Sequence, residues 1–319
     1  LRATELFANP WLRRVVQSVV TLAAFGYLYT RVDTHELGRA LSSVSRSAWL
    51  LALLLTCASL GCGVLRWWLL FRAFGALRQP PLSRLAKHYM VGFFYNTYLP
   101  GGVSGDVVRG LASRDAWPPG SVGGMASVLV ERALGLAALL GLTATATLVH
   151  PLPGMAKLWL PAIAAFVGVL CATLLLSFAS RFARFGAGAV QRLLQRLPAP
   201  TAWLPLWAAL LLSFVTQLLP ALCGYVLIHS IAANAALADA LVIVPLASAA
   251  AFLPITISGA GVRETLFVEL FGLVGVPAQA ALAASLSLWM AQAALAAVGG
   301  IYLLASGAAL RSPKQPGSA

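Results

Sequence analysis

Residues 122–149 read VGGMASVLVERALGLAALLGLTATATLV, an apolar run interrupted by only two charges, Glu131 and Arg132. Laid out as a helix at about 1.5 Å per residue, such a run exceeds the ~30 Å hydrocarbon core of a bilayer. Its hydrophobicity is continuous rather than confined to one face at a 3.6 or 2.0 period, so the solvent it calls for is lipid. The surrounding chain has the same character: of 319 residues, 60% are apolar and 10% charged, against about 25% charged in soluble domains. That composition excludes a disordered, collagenous or disulfide-rich secreted protein.

Working outward, further apolar segments run from Val15 to Tyr29, Trp49 to Leu65, Leu158 to Phe178, Leu204 to Ile231, Leu237 to Leu253 and Ala278 to Ala305. Most approach the ~20 residues a crossing helix requires. Two shorter pieces, Leu85 to Leu99 and Val262 to Val276, each adjoin a break rich in Pro, Gly and Ser, the pattern of re-entrant or discontinuous helices. The expected fold is all-α: a polytopic transmembrane helical bundle with two re-entrant or broken helices related by an internal, inverted repeat. It forms one integral membrane domain over residues 1–319, with repeat halves near 1–150 and 151–310 and a disordered tail at 311–319.

The formal charge is +13, from 22 Lys and Arg against 9 Asp and Glu. The basic residues lie between apolar runs and never form a compact block, so they report membrane topology and anionic lipid rather than nucleic acid. Arg66, Arg72, Arg78, Arg84 and Lys87 follow the segment that starts at Trp49, and Arg181, Arg184, Arg192 and Arg196 follow the one that starts at Leu158. The positive-inside rule makes both loops cytoplasmic. The loops His150 to Lys157 and Ser230 to Ala238 then face away, and the N-terminus, with Arg13 and Arg14, lies on the cytoplasmic side of the inner (cytoplasmic) membrane.

Arg31, Arg39 and Arg46 run against that orientation. Their stretch reads as a short interfacial helix: Asp33 and Glu36 have capping-box spacing, and Leu37, Leu41 and Val44 form an apolar stripe. No cleavable signal peptide is expected, because Arg31, Asp33 and Glu36 follow the first apolar stretch. Trp11, Trp49, Trp67, Trp68, Trp159 and Trp203 sit at segment ends, where indoles favour the headgroup level, whereas Trp207 and Trp289 lie deeper and read as core aromatics. Cys57, Cys62, Cys171 and Cys223 fall inside apolar segments without a Cys-x-x-Cys pair and read as small core residues, with no metal or disulfide implied.

One short pattern occurs twice. Leu99, Pro100, Ser104, Gly105, Val108 and Arg109 recur at the same spacing as Leu253, Pro254, Ser258, Gly259, Val262 and Arg263, giving L-P-x-x-x-S-G-x-x-V-R in each half. Each copy adjoins one of the two short apolar pieces, as expected when paired discontinuous helices meet near the membrane midplane. Pro100 and Pro254 let a helix stop. Gly101, Gly102, Gly105, Gly259 and Gly261 permit positive φ and close approach. Ser104 and Ser258 are placed to cap the next helix, whose N-terminus then forms an anion site. Arg109 and Arg263, five residues on, are each expected a turn or more into that helix, positioned to add bidentate contacts to one headgroup phosphate. The competing reading is a tight turn between helices with each Arg snorkelling to nearby headgroups.

Other ionisable groups at membrane depth are few: Asp106, Glu131, Arg132, Glu264 and Glu269. Asp106 and Arg109 are an i,i+3 pair. Glu131 and Arg132 point about 100° apart on a helix, so each needs a partner on another helix, and Arg109 or Arg263 fits Glu131. The run His88, Tyr89, Phe93, Phe94, Tyr95, Asn96, Thr97 and Tyr98 leads into the first break and reads either as a polar cavity lining or as an interfacial aromatic belt. There is no Walker, zincin or Rossmann motif, and Ser104 fails the nucleophile-elbow pattern. The four histidines are scattered, so neither a metal site nor any cofactor is expected.

The run Arg66, Trp67, Trp68 through Gly75, then Asn96, Leu99, Pro100, Gly101, Gly102, Gly105, Asp106, Val108 and Arg109, then Glu131, Arg132 and Gly135, resembles the lysylphosphatidylglycerol synthase transmembrane family. Gly259, Gly261, Val262, Arg263 and Glu264, followed by Gly275 and Val276, look like its second signature. The resemblance covers most of the chain and implies movement of lipids between leaflets. In some members the membrane domain is fused to a cytosolic aminoacyltransferase; the sequence in hand stops at Ala319 without one, and the expectation is a stand-alone translocase-like unit rather than an enzyme. Ser104, where relatives often carry Gly, and Ile255, Thr256 and Ile257 in the second break depart from the pattern.

The leading expectation is a transporter of an anionic phospholipid, polyprenyl-phosphate lipid or related amphiphile, with membrane lipids as partners and a homo-oligomer compatible. The substrate-binding candidates are Asn96, Gly101, Gly102, Ser104, Gly105, Asp106, Arg109, Glu131, Arg132, Ser258, Gly259, Gly261, Arg263 and Glu264. The alternatives are a membrane-embedded transferase acting on a lipid-linked substrate through Asp106, Glu131 or Glu264, and a scaffold for a separately encoded lipid-modifying enzyme.

Overall fold

A computed structural model describes residues 10–99, 103–178, 181, 188–249 and 259–306. Over these the chain is helical and without strands: α1 (Pro10–Arg31), α2 (Thr34–Ser43), α3 (Arg46–Ala73), α4 (Leu82–Tyr98), α5 (Ser104–Ala112), α6 (Gly123–Val149), α7 (Trp159–Ser177), α8 (Gly188–Gln195), α9 (Trp203–Ile231), α10 (Leu237–Ala249), α11 (Val262–Gly272) and α12 (Ala278–Ala305). Helices α3, α6, α7, α9 and α12 are each long and apolar enough to cross a bilayer, and a sixth crossing results if α1 and α2, bent by 89° at Val32–Asp33, count as one span. Each apolar segment expected from sequence coincides with a helix over its described residues, although the one expected at Trp49 to Leu65 runs on to Ala73 and so carries Arg66 and Arg72 inside the helix rather than in a loop. The tail at 311–319 lies outside the described residues.

Small side chains set the packing, because lipid-facing helices associate by close contact rather than by hydrophobic exclusion. Helix α12 buries Ala281, Ala284, Ser285, Ala291 and Ala296. It meets α4 where a side chain at Gly299 would overlap the Met90 carbonyl. Two apolar cores result. One joins Ala48 and Ala52 of α3 to Leu227 and Ile228 of α9, Ile243 of α10, Phe267 and Phe271 of α11 and Leu288 of α12. The other joins Trp67, Leu70 and Phe71 of α3 to Leu85, Trp117, Val130, Leu134 and Ala209.

Hydrogen bonds between connections sort the ends of the helices into two groups. In one, the Thr201 N–H donates to the Ala73 carbonyl, Arg78 N–H to Ala116 and Val122 N–H to Arg196. In the other, Asn234 donates to the Gly275 carbonyl, His150 pairs with Asp239 at 2.8 Å and Gln279 donates to Glu36. Helices α4 and α5 pack on each other, and an Arg84–Asp115 ion pair at 2.8 Å joins their outer ends in the first group. Helices α10 and α11 also pack on each other, with outer ends in the second group.

Several local expectations are corrected. Trp67 is fully buried between helices rather than facing lipid, whereas Trp207 and Trp289, expected in the core, are 51% and 42% exposed. Cys223 is buried, but Cys57 and Cys171 are exposed and Cys62 is partly so. A residue inside an apolar run can point either to a neighbouring helix or to lipid, and hydropathy does not separate the two. Helix α2 forms as expected, with the Asp33 carboxylate accepting from the His35 and Glu36 N–H groups. Its apolar stripe docks on the bundle, however: Val44 is 7% exposed, Leu37 packs on the core, and α2 contacts α12 and α9.

Candidate functional site

The first break is built by two helices that double back at close range. Gly105 at the start of α5 lies so near the backbone of Gly92 in α4 that a methyl group there would overlap the Gly92 carbonyl. Gly124 of α6 approaches the Gly110 carbonyl of α5 in the same way. Glycine is required at these contacts for space, not for positive φ.

That proximity changes how α5 is capped. Ser104 is its first helical residue and Val103 its N-cap, without a side-chain cap bond. The Ser104 hydroxyl donates back to the Tyr95 carbonyl at 3.1 Å, and the Gly105 N–H donates to the Asn96 side-chain oxygen at 2.8 Å. The expected serine cap is thus replaced by Asn96, which α4 delivers across the glycine contact. The Asn96 amide nitrogen also donates to Asp106 at 3.1 Å.

Around this start, five charged side chains from α3, α5 and α6 form one chain of ion pairs. Glu131 bridges Arg66 and Arg109, each at 2.9 Å. Arg109 also holds Asp106 at 2.9 Å, and the second oxygen of Asp106 accepts from Arg132 Nε at 2.6 Å. The expected i,i+3 pair and the expected Arg109–Glu131 pair both form. The guanidinium of Arg109 is stacked by two rings, 4.5 Å from the centroid of Tyr89 and 5.1 Å from that of Trp67. Trp67 is itself fixed by donating to the Ser127 hydroxyl. Arg66 reaches Ser213 and Thr216 of α9 through Nη1, while its Nε is buried without a hydrogen-bond partner.

Three guanidinium groups against two carboxylates leave the network one positive charge in excess. Its exposure is uneven: 9% and 5% for the side chains of Arg66 and Arg109, but 42% for Arg132. Both terminal nitrogens of Arg109 are bonded to carboxylates, Nη1 to Glu131 and Nη2 to Asp106.

The second break differs. Gly259 and Gly261 have φ of +79° and +84°, and this left-handed turn delays the helix, so α11 starts at Val262. Arg263 therefore lies in the first turn rather than a full turn in, and its guanidinium bonds Glu264 at 3.0 Å and 2.5 Å. The other oxygen of Glu264 accepts from the Gly261 N–H at 2.8 Å, capping the helix start. Gly101, Gly102 and Ser258, with both break prolines, lie outside the described residues. The structure thus ties Asn96, Ser104, Gly105, Asp106, Arg109, Glu131 and Arg132 into one cluster, and gathers Gly259, Gly261, Arg263 and Glu264 at another.

Arg66, Trp67 and Tyr89 belong to the first cluster although sequence reading assigned Arg66 to a loop. The available signal was an arginine followed by two tryptophans at the end of an apolar run, where a membrane-depth charge needs a partner. The aromatic run of α4 divides: Tyr89 and Asn96 serve the network, whereas Phe94 and Tyr98 line an apolar groove of about 250 Å³ with Ala297, Gly300 and Ile301. Among the described residues no group of His, Cys, Asp and Glu is arranged to hold a metal ion. No individually curated protein matches this sequence. The lysylphosphatidylglycerol synthase TM region matches residues 14–300, which include both clusters, and this multi-pass membrane protein belongs to that family.

Proposed function

We propose that this protein is a flippase-like lipid transporter that moves an anionic phospholipid, a polyprenyl-phosphate lipid or a related amphiphile between leaflets. The observation that carries the reading is the five-charge network, four of its members buried, with three guanidinium groups against two carboxylates, among helices apolar enough to cross a membrane. Charges at that depth are costly unless paired, at roughly 2.5–3.5 kcal/mol each even on an insertion scale. A network that is paired yet unbalanced by one charge suits a headgroup phosphate whose tails remain in the bilayer. We read α4–α5 and α10–α11 as re-entrant hairpins of an inverted repeat, because their outer ends belong to opposite groups of connections. The cytoplasmic membrane, with the N-terminus inside, follows from the positive-inside count.

A transferase reading is less well supported, since each candidate carboxylate is already engaged. Asp106 is held by Arg109 and Arg132, Glu131 by Arg66 and Arg109, and Glu264 by Arg263 and the Gly261 N–H. The test is purified protein in liposomes, scored for exchange of labelled lipids between leaflets and, by mass spectrometry, for chemical change in those lipids. Unaltered lipids should redistribute only when protein is present. Chemically altered lipids would favour the transferase, and neither exchange nor alteration would leave a scaffold for a separately encoded lipid enzyme.

A further inference from the structure

Helix α4 works on two opposite faces. Gly92 and Asn96 meet α5 and Tyr89 stacks on Arg109, so these residues serve the charge network. Lys87, Phe94 and Tyr98 share the other face, about 180° around the helix from Asn96. This second face meets α12 along Ala297, Gly300, Ile301 and Leu304, and the apolar groove of about 250 Å³ runs between the two helices. Gly300 lets the Phe94 ring seat against α12, because a side chain there would overlap the ring. Phe94 and Tyr98 stack at 5.2 Å, and the Tyr98 hydroxyl is occupied in donating to the Ala293 carbonyl at 2.9 Å. The rim is open to the outside: Tyr98, Ile301 and Leu304 are 45%, 65% and 81% exposed. Cationic groups stand beyond one end of the groove. Lys87 is exposed, and its ammonium lies 5.6 Å from the centre of the Tyr302 ring in the last turn of α12. Along α4 it stands about 10 Å from Phe94, toward the connections that carry Arg78, Arg84 and Arg114.

We propose that this groove holds one acyl chain of an anionic phospholipid whose phosphate is met by Lys87. The site goes beyond the transport reading, because it lies on the face of α4 turned away from the charge network and does not require the lipid to cross the membrane. A recess in a lipid-facing surface forfeits van der Waals contacts along its lining unless a hydrocarbon chain enters it. The chain restores them. Chain contact alone does not distinguish one bilayer lipid from another, since all tails are similarly apolar. Lys87 supplies the choice, drawing a negative headgroup to the end of the groove that borders the basic connections. The bound lipid therefore belongs to the leaflet on that side.

The test places the whole chain in liposomes doped with phosphatidic acid carrying a photoreactive acyl chain, with diacylglycerol bearing the same chains as the probe without phosphate. Cross-linked peptides are mapped by mass spectrometry. Phosphatidic acid should label residues 94–98 and 297–304 severalfold more than the exposed face of α7 at Leu160, Ile163 and Val167, and diacylglycerol should show no such preference. Lys87→Gln should reduce the preference about fivefold, whereas Lys87→Arg should keep it. Ala297→Phe, which fills the groove, should abolish it, and Val298→Phe, at a 51% exposed position outside the groove, should not. Equal labelling of the groove and α7, an equal preference for diacylglycerol, or a preference unchanged in Lys87→Gln would each overturn the proposal. If Ala297→Phe does not fold, the exposed Lys87 variants and the labelling map decide.

Discussion

Glu131 is the residue on which the charge network turns. Its two oxygens hold arginines from two different helices, and its side chain is 2% exposed. Removing one member of a buried pair leaves an uncompensated charge, a loss of about 3–5 kcal/mol, far above the ~0–1 kcal/mol of an exposed pair. Glu131→Gln should therefore lower the melting temperature of the detergent-purified protein sharply, while Arg84→Gln, whose pair with Asp115 is about half exposed on both sides, should leave it nearly unchanged. If Glu131→Gln melts like wild type, Arg66 and Arg109 have another source of compensation. Trp67 and Tyr89 shape the same site by stacking on Arg109, which fixes the guanidinium plane between its two carboxylates. Lysine at position 109 retains the charge but not the planar fork or the stacking, so Arg109→Lys is not conservative here.

At the scale of elements, the α4–α5 hairpin depends on glycine. A Cβ at Gly105 or Gly124 would meet backbone carbonyl oxygen, which cannot rotate away as a side chain can. Gly105→Ala should thus force α5 off α4, break the Asn96 cap and destabilise the protein by about 1–3 kcal/mol or more. Gly61→Ala, in the exposed face of α3 with nothing within 4 Å of the added methyl, provides the contrast. It should be neutral or stabilising by up to about 1 kcal/mol through helix propensity alone. Thermal unfolding of the two variants side by side distinguishes crowding at the hairpin from a general intolerance of substitution. The second hairpin obeys different local rules, since its glycines at 259 and 261 are needed for positive φ and set where α11 begins.

For the whole molecule, the two groups of connections give a sidedness that single loops do not. The group containing the Gln79 loop also holds Arg72, Arg78, Arg84, Lys87 and Arg114, against Asp115. The opposite group mixes Arg31, Arg39 and Arg46 with Asp33, Glu36 and Asp239. The basic excess predicts that the first faces the cytoplasm. In a cysteine-free background, an impermeant thiol reagent added to intact cells should label Asn234→Cys and spare Gln79→Cys. The reverse pattern would invert the molecule and make Arg31, Arg39 and Arg46 the better guide to topology.

The helical class, the position of the long apolar helices and the membrane as solvent were legible in the sequence by itself, because each depends on residues adjacent along the chain. A run such as 122–149 has to satisfy its own backbone hydrogen bonds in hydrocarbon, and only a helix does so. The family motif around Asn96 to Arg109 was legible for the same local reason. Partnership was not. Arg66 looked like a loop arginine, Ser104 looked like a cap, and Arg263 looked equivalent to Arg109. The tertiary structure decided otherwise by bringing α3, α4, α5 and α6 together, so that Glu131 reaches Arg66, Asn96 reaches the start of α5, and Arg109 fills its contacts with two acids. Burial in lipid demands that every charge find a partner, but which partner it finds is set by how helices distant in sequence pack.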